Sequence, residues 1–312
     1  MRLQVVHSTR YDYSPAVETA QHMAYLEPPD KPGQRLISHT LQIHPGPAQQ
    51  HSTRDVHGNR RCFFSLQSPH HSLEILAHSV LETSAPAMPN SRLGWEAARA
   101  LFRYRAGQTV DPACEFSFAS PYAPRDSAFA AYAQPSFPSE GGLLAGAMDL
   151  MQRMHADFTY ESHSTQVNTP ALQALAQRKG VCQDFAHIMV ACLRSLGLSA
   201  RYVSGYLLTQ PAPGMPRLRG SDASHAWASV YVPDLPADRR WVDLDPTNCR
   251  AGSHAPGEDY VTLATGRDFG DVSPVRGVIN GGASHTLTVG VTVDPLPEGR
   301  VGRDSPDTTF AT

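Results

Sequence analysis

Apolar and polar positions alternate in short runs over the first 85 residues. Leu3–His7, Leu41–His44, Cys62–Leu66 and Leu73–Val80 are apolar or alternate with period two, and turn-rich stretches separate them. This is the pattern of strands that bury one face. Asp55-Val56-His57-Gly58-Asn59 reads as a hairpin turn, with Gly and Asn accepting positive φ. Strands at this spacing predict a sandwich-like β domain over residues 1–85. From 86 to 139 the chain is rich in Ala, Pro and Ser and weakly periodic, with one helix predicted over Trp95–Arg105. That stretch reads as a connector.

After Gly142 the period lengthens. Leu143, Leu144, Ala147, Met148, Met151 and Met154 recur at helical spacing, which predicts a helix over 141–155. Thr169-Pro170 reads as an N-cap followed by proline at the first helical position, opening a short helix that ends before Gly180. In the next helix Phe185, Ile188, Met189, Cys192, Leu193 and Leu196 form one apolar face, and Gly197 terminates it. Cys182 falls in its first turn, off that face. Ala200–Leu208, Ala226–Val232 and Arg240–Leu244 then have strand character, and 274–294 holds one or two more strands. A helix followed by antiparallel strands is an α+β arrangement. The predicted division is a β domain over 1–85, a connector over 86–139, a core over 140–295 and a polar, disordered tail over 296–312.

Composition narrows the function classes. Basic residues number 26 against 29 acidic ones, too even a balance for a nucleic-acid or anionic-membrane partner. The N-terminus runs straight into a strand pattern, and no stretch is long and apolar enough to span a bilayer, so a cytoplasmic location is expected. The five cysteines are scattered and include no CxxC pair, which argues against a disulfide framework and a thiolate zinc site. Fifteen histidines show no HExxH spacing, so neither a metal nor another cofactor is expected.

The thiol at the head of a helix carries the chemistry. A cysteine attacks as thiolate, and both the helix N-terminus and a neighbouring imidazolium favour that form. The free amides of the first turn would supply part of an oxyanion hole. Ser224-His225-Ala226-Trp227 opens one strand, and Asp245-Pro246-Thr247 closes the next. On neighbouring antiparallel strands the start of one lies beside the end of the other. His225 and Asp245 are therefore expected to meet while both face the helix that bears Cys182. Asp243 shares a side of its strand with Asp245, and spacing alone does not separate them.

Gly180-Val181-Cys182-Gln183-Asp184-Phe185-Ala186, Ser224-His225-Ala226-Trp227 and Trp241-Val242-Asp243-Leu244-Asp245-Pro246-Thr247 resemble the three core motifs of the transglutaminase-like superfamily. More narrowly, the chain resembles bacterial members with an N-terminal β domain, described as candidate cysteine proteases. His7-Ser8-Thr9-Arg10-Tyr11-Asp12-Tyr13 and the Asp55 to Asn59 turn fit that group. The resemblance implies a papain-like core with Cys182 as nucleophile, His225 as base and Asp245, before Pro-Thr, as the residue that orients the histidine. The chain is far shorter than animal transglutaminases and shows no acidic calcium loop. Hydrolysis of an amide in a peptide-type substrate is therefore expected over acyl transfer to an amine. Transglutaminase-type crosslinking and a non-catalytic binding module are the alternatives, and the N-terminal β domain is the surface on which a protein partner would dock.

Gln183, Tyr160 and Trp227 are the candidate substrate contacts. Their bland readings are an exposed helix position for Gln183 and packing for the two aromatics. Asp184 and Asp222 either cap their segments or perturb the site, with capping the better reading for Asp184.

Overall fold

The computed structural model describes residues 1–297 apart from 104, 105, 108, 163–165, 167, 210–223 and 283. Asp222 and nearly all of the expected tail lie outside the described residues.

Five strands open the chain: β1 (Arg2–Ala24), β2 (Gln34–His44), β3 (Gln49–Arg54), β4 (Arg60–Leu66) and β5 (His70–Thr83). β1 is far longer than the expected Leu3–His7. Its alternation stays legible, with Leu3, Val5, His7 and Thr9 buried on one side. Between Asp12 and Val17 its register against β5 breaks.

The connector holds more structure than its periodicity predicts. α1 (Trp95–Leu101) is shorter than expected, and α2 (Ser127–Ala133) follows, with Asp126 capping it by accepting from the Ala128 amide. Arg194, fully buried on the fifth helix, binds this connector. Its guanidinium donates to the Phe116 carbonyl, to Ser120 Oγ and to the carbonyls of Ala200 and Arg267. A buried guanidinium is tolerated because its donors are satisfied in this way.

The core runs α3 (Leu143–Asp157), β6 (Thr159–Tyr160), α4 (Ala171–Gln177), β7 (Lys179–Gly180), α5 (Cys182–Ser195), β8 (Ala200–Leu207), β9 (Ser224–Tyr231), β10 (Trp241–Asp245), β11 (Arg250–Ser253), β12 (Tyr260–Gly266) and α6 (Phe269–Val272). Pro170 occupies the N-cap position of α4, one residue later than expected. Strands pair in the order β11-β10-β9-β8-β12. α5 packs on one face of this sheet. Its Ile188, Val190 and Ala191 share a core with Ala200, Ala228, Val230, Val242 and Leu244, and α2 contributes Phe129, Tyr132 and Ala133.

Two last strands, β13 (Val275–Gly281) and β14 (Ser284–Pro295), correct the expected division of the chain. Residues 274–294 were expected in the core, but β13 and β14 pair antiparallel with β1 and complete a single seven-stranded N-terminal sheet. Unpaired edges favour such additions, and one side of β1 is open to them. The α+β class holds, with a β domain beside a helix-on-sheet core. The two parts meet through an apolar layer in which Leu3, Val5, Leu81, Val291 and Val293 pack against Tyr206, Leu208, Val261 and Leu263. Among the described residues no helix is long and apolar enough to cross a membrane.

Candidate active site

Cys182 is the first residue of α5, and Val181 is its N-cap. The turn is built by local sequence. Asp184 folds back so that Oδ2 accepts the Val181 amide at 2.9 Å, the capping role expected for it. Gly180 makes room for this, since a Cβ there would meet Asp184 Oδ2 at 2.7 Å. Cys182 stands at the head of a 14-residue helix, where first-turn amides have no helical partners. Cys182 is partly exposed, whereas Cys62 and Cys192 are buried. It packs against a cluster that includes Ala186, Tyr202 and Ala226, together with Met23 and Tyr25 at the end of β1. The N-terminal domain thus reaches the thiol's surroundings.

His225 and Asp245 meet as antiparallel pairing requires. β9 and β10 pair from Trp241 opposite Tyr231 to Leu244 opposite Ala228, which leaves Asp245 beside the start of β9. His225 Nε2 and Asp245 Oδ2 are 2.7 Å apart, with side chains 7% and 0% exposed. Nε2 is committed to the carboxylate, so Nδ1 is the nitrogen left to face the Cys182 sulfur, which acts on the charge of the ring. Burial disfavours the imidazolium, but the Cys182 sulfur and the Asp245 carboxylate outweigh it and raise the pKa of His225 to about 10.

One expectation about this geometry needs correction. His225 and Asp245 do not share the sheet face that packs under α5. Ala226, Ala228, Val242 and Leu244 point to the helix side, so the alternation of a strand puts His225, Trp227, Asp243 and Asp245 on the other face. Cys182 meets the pair because it lies at the end of its helix.

Asp243 is buried, and neither of its carboxylate oxygens has a hydrogen-bond partner among the described residues. Asp245 is the carboxylate that holds His225. Its own burial would raise its pKa, yet donors hold it below the usual range. Besides His225 these are Asn248 Nδ2 at 2.8 Å and Tyr260 Oη at 2.7 Å, both on Oδ2, and the Thr247 amide at 2.9 Å on Oδ1. Sequence reasoning missed Asn248 and Tyr260. The Asp-Pro-Thr-Asn run is a turn in which an Asn three residues on can fold back, whereas nothing local marks Tyr260.

The candidate substrate contacts separate. Gln183 is half-buried beside Cys182. Tyr160 on β6 is 52% exposed and lies edge-on to Phe185. Trp227 has no exposed surface, which overturns its reading as a substrate contact. It is the wall behind His225, stacked at 6.1 Å between centroids and edge-on to Tyr260 at 5.5 Å. Gly205, opposite His225 on β8, admits the indole, since a Cβ would stand 2.5 Å from its Cη2.

Residues 3–82 match the model of the bacterial transglutaminase-like N-terminal region, and residues 131–246 match that of the transglutaminase-like superfamily. The chain is 39% identical over 301 residues to the protein Rv2569c of Mycobacterium tuberculosis, covering 95% of this chain and 93% of that one. It is 29% identical over 301 residues to ML0607 of Mycobacterium leprae, covering 95% and 99%. Its fold is similar to that of a candidate cysteine protease from Cytophaga hutchinsonii, with a TM-score of 0.72, 19% identity and coverage of 95% and 91%.

Proposed function

The chain belongs to the transglutaminase-like superfamily, and from that premise we propose that it is a thiol-dependent amide-bond hydrolase, a cysteine peptidase or amidase. Cys182, His225 and Asp245 are its triad. The observation that carries the reading is the meeting of a helix N-terminal thiol with an imidazole whose far nitrogen is held by a buried carboxylate. A structural cysteine has no need of such a neighbour.

In the proposed mechanism the Cys182 thiolate attacks the carbonyl carbon of the substrate amide and forms a C–S bond. The oxygen that gains charge is met by first-turn amides of α5. The His225 imidazolium gives its Nδ1 proton to the departing nitrogen as the C–N bond breaks, leaving a thioester and a free amine. A water then loses its proton to His225 and attacks the thioester. The carboxylate product leaves, and thiolate and imidazolium are restored. Asp245, ionised and held by Thr247, Asn248 and Tyr260 as well as His225, keeps the ring turned with Nδ1 toward sulfur throughout. Gln183 beside the thiol and exposed Tyr160 are the proposed substrate contacts, and Met23 and Tyr25 make the N-terminal domain one wall of the approach.

The test is to expose the protein to peptide anilides and to follow intact mass and released amine, with and without an added amine such as glycine methyl ester. An acyl adduct on Cys182 that clears to free acid, absent in Cys182→Ala, is the expected result. Clearance mainly to the amine adduct would make the protein an acyl transferase. No adduct and no release with any acyl donor would sink the enzymatic reading.

A further inference from the structure

A second polar site lies on the sheet face away from α5. Arg201 on β8 stands opposite Ser229 on β9, and Ser229 stands opposite Asp243 on β10. Three polar residues thus form one row across the sheet, with neighbouring Cβ atoms about 5 Å apart. Ser229 and Asp243 are buried, and among the described residues Ser229 Oγ, both Asp243 oxygens and Arg201 Nε have no hydrogen-bond partner. Buried polar groups left this way are uncommon, and each needs an explanation.

A cavity of about 190 Å³ opens over the Arg201 end of the row, where the N-terminal domain closes on the core. Lys31 enters it from the N-terminal domain, bonded to the His254 carbonyl and to Thr262 Oγ1 at 2.7 Å. Two of its three protons are used there. The Arg201 guanidinium lies over the Trp241 ring, 4.2 Å from its centroid. Its Nε has no partner among the described residues, and a guanidinium is the group suited to bidentate binding of a carboxylate. His57, His254 and Asp238 also line the cavity. Burial holds His254 below its usual pKa, and His57 is engaged with Asp271. Asp238 is 58% exposed and lies 3.8 Å from Arg239, so among the buried groups Lys31 and Arg201 face one carboxylate, that of Asp243.

We propose that this cavity is a binding site for a small monocarboxylate, its carboxylate held by Arg201 and Lys31 and its charge completing the balance with Asp243. The state of the two cations fits an unmet anion. Burial lowers Lys31 to about 8 and Arg201 to about 10, and Asp243 only partly offsets it. The site is separate from the triad. Ser229 lies four residues beyond His225 on the same strand, roughly 13 Å away, with fully buried Trp227 between them.

The ligand chemistry has two sources, a free small acid or the C-terminus of a short peptide, and two probes separate them. Acetate stands for the first and N-acetylglycine, which adds an amide, for the second. Isothermal titration of the full chain should show saturable binding of at least one probe in roughly the millimolar range. Cys182→Ala should bind equally well. Arg201→Met should weaken binding at least tenfold, and Arg201→Lys should weaken it as well because the bidentate edge is lost. Lys31→Met, a change on a connection between strands, carries the test if the Arg201 variants do not fold. Tighter binding of N-acetylglycine would identify a peptide terminus, and equal binding a small acid. Absence of binding by both probes, or binding that survives both Lys31→Met and a folded Arg201→Met, would overturn the proposal, as would a probe-soaked crystal showing water alone against Arg201.

Discussion

Replacing His225 with alanine should slow iodoacetamide labelling of Cys182 at pH 7 by roughly 10- to 100-fold. The magnitude follows from what the substitution removes. The thiol faces an imidazole that keeps its proton up to about pH 10, so the lost contact is one to a charged partner. Such contacts contribute about 1.5–3 kcal/mol, and each 1.4 kcal/mol is a factor of ten. The loss should stop there, because the α5 amides and the helix dipole remain. Labelling is followed by peptide mapping, since Cys114 and Cys249 are also partly exposed. Those two serve as internal references for reagent and pH. Asp245→Asn should give a smaller loss, since the imidazole stays but is no longer paired with a carboxylate. If Cys182 labels at the same rate in wild type and His225→Ala, no functional thiol–imidazole pair exists. The proposed mechanism then loses its first step, and a binding role for the fold becomes the better account.

Other outcomes follow from the same contacts. Tyr260→Phe deletes a 2.7 Å bond to the buried Asp245 carboxylate and should cost about 1.5–3 kcal/mol in urea unfolding at pH 7. Because the folded pKa of Asp245 is lowered, that difference should be full above about pH 4 and shrink as the pH falls through the folded value. His57 carries the opposite sign. Its pKa is raised by the Asp271 contact at 3.5 Å, so wild type should exceed His57→Gln by about 1 kcal/mol below about pH 6.5 and lose that margin as pH rises through the folded value. Ile188→Ala, at a fully buried position under the core sheet, should cost about 2–5 kcal/mol in chemical denaturation, and a loss under 1 kcal/mol would contradict the packing described.

The helix that bears the thiol was legible because six apolar residues on α5 keep steps of three and four, and because Gly197, at φ 83°, ends it. His225 and Asp245 were legible as a pair because antiparallel strands joined by a short connection must bring such ends together. Which face they occupied was not, since Cys182 reaches them from the end of a helix that packs along the sheet, and a strand pattern does not say where that end lies. α2 was hidden by its length. Seven residues give barely two turns of pattern, and its buried Phe129, Tyr132 and Ala133 read equally well as loop. Trp227 was ambiguous for another reason, since a tryptophan serves as a platform or a wall depending on what its neighbours leave open. β13 and β14 were visible as strands, but alternation carries no record of which edge a strand will join.

That last pairing bears on how the protein is made. β1 precedes its partner β14 by more than 250 residues, and the two pair from Leu3 opposite Pro295 to Ser14 opposite Ser284. One flank of β1 therefore waits while the intervening residues are synthesised, and the helix-on-sheet unit has time to fold inside an unfinished sheet. A fragment ending at residue 85 would present that flank to other chains as a template. An expression strategy should therefore keep residues 275–295 with the N-terminal domain, and a nascent chain has reason to assemble its core before its outer sheet is closed.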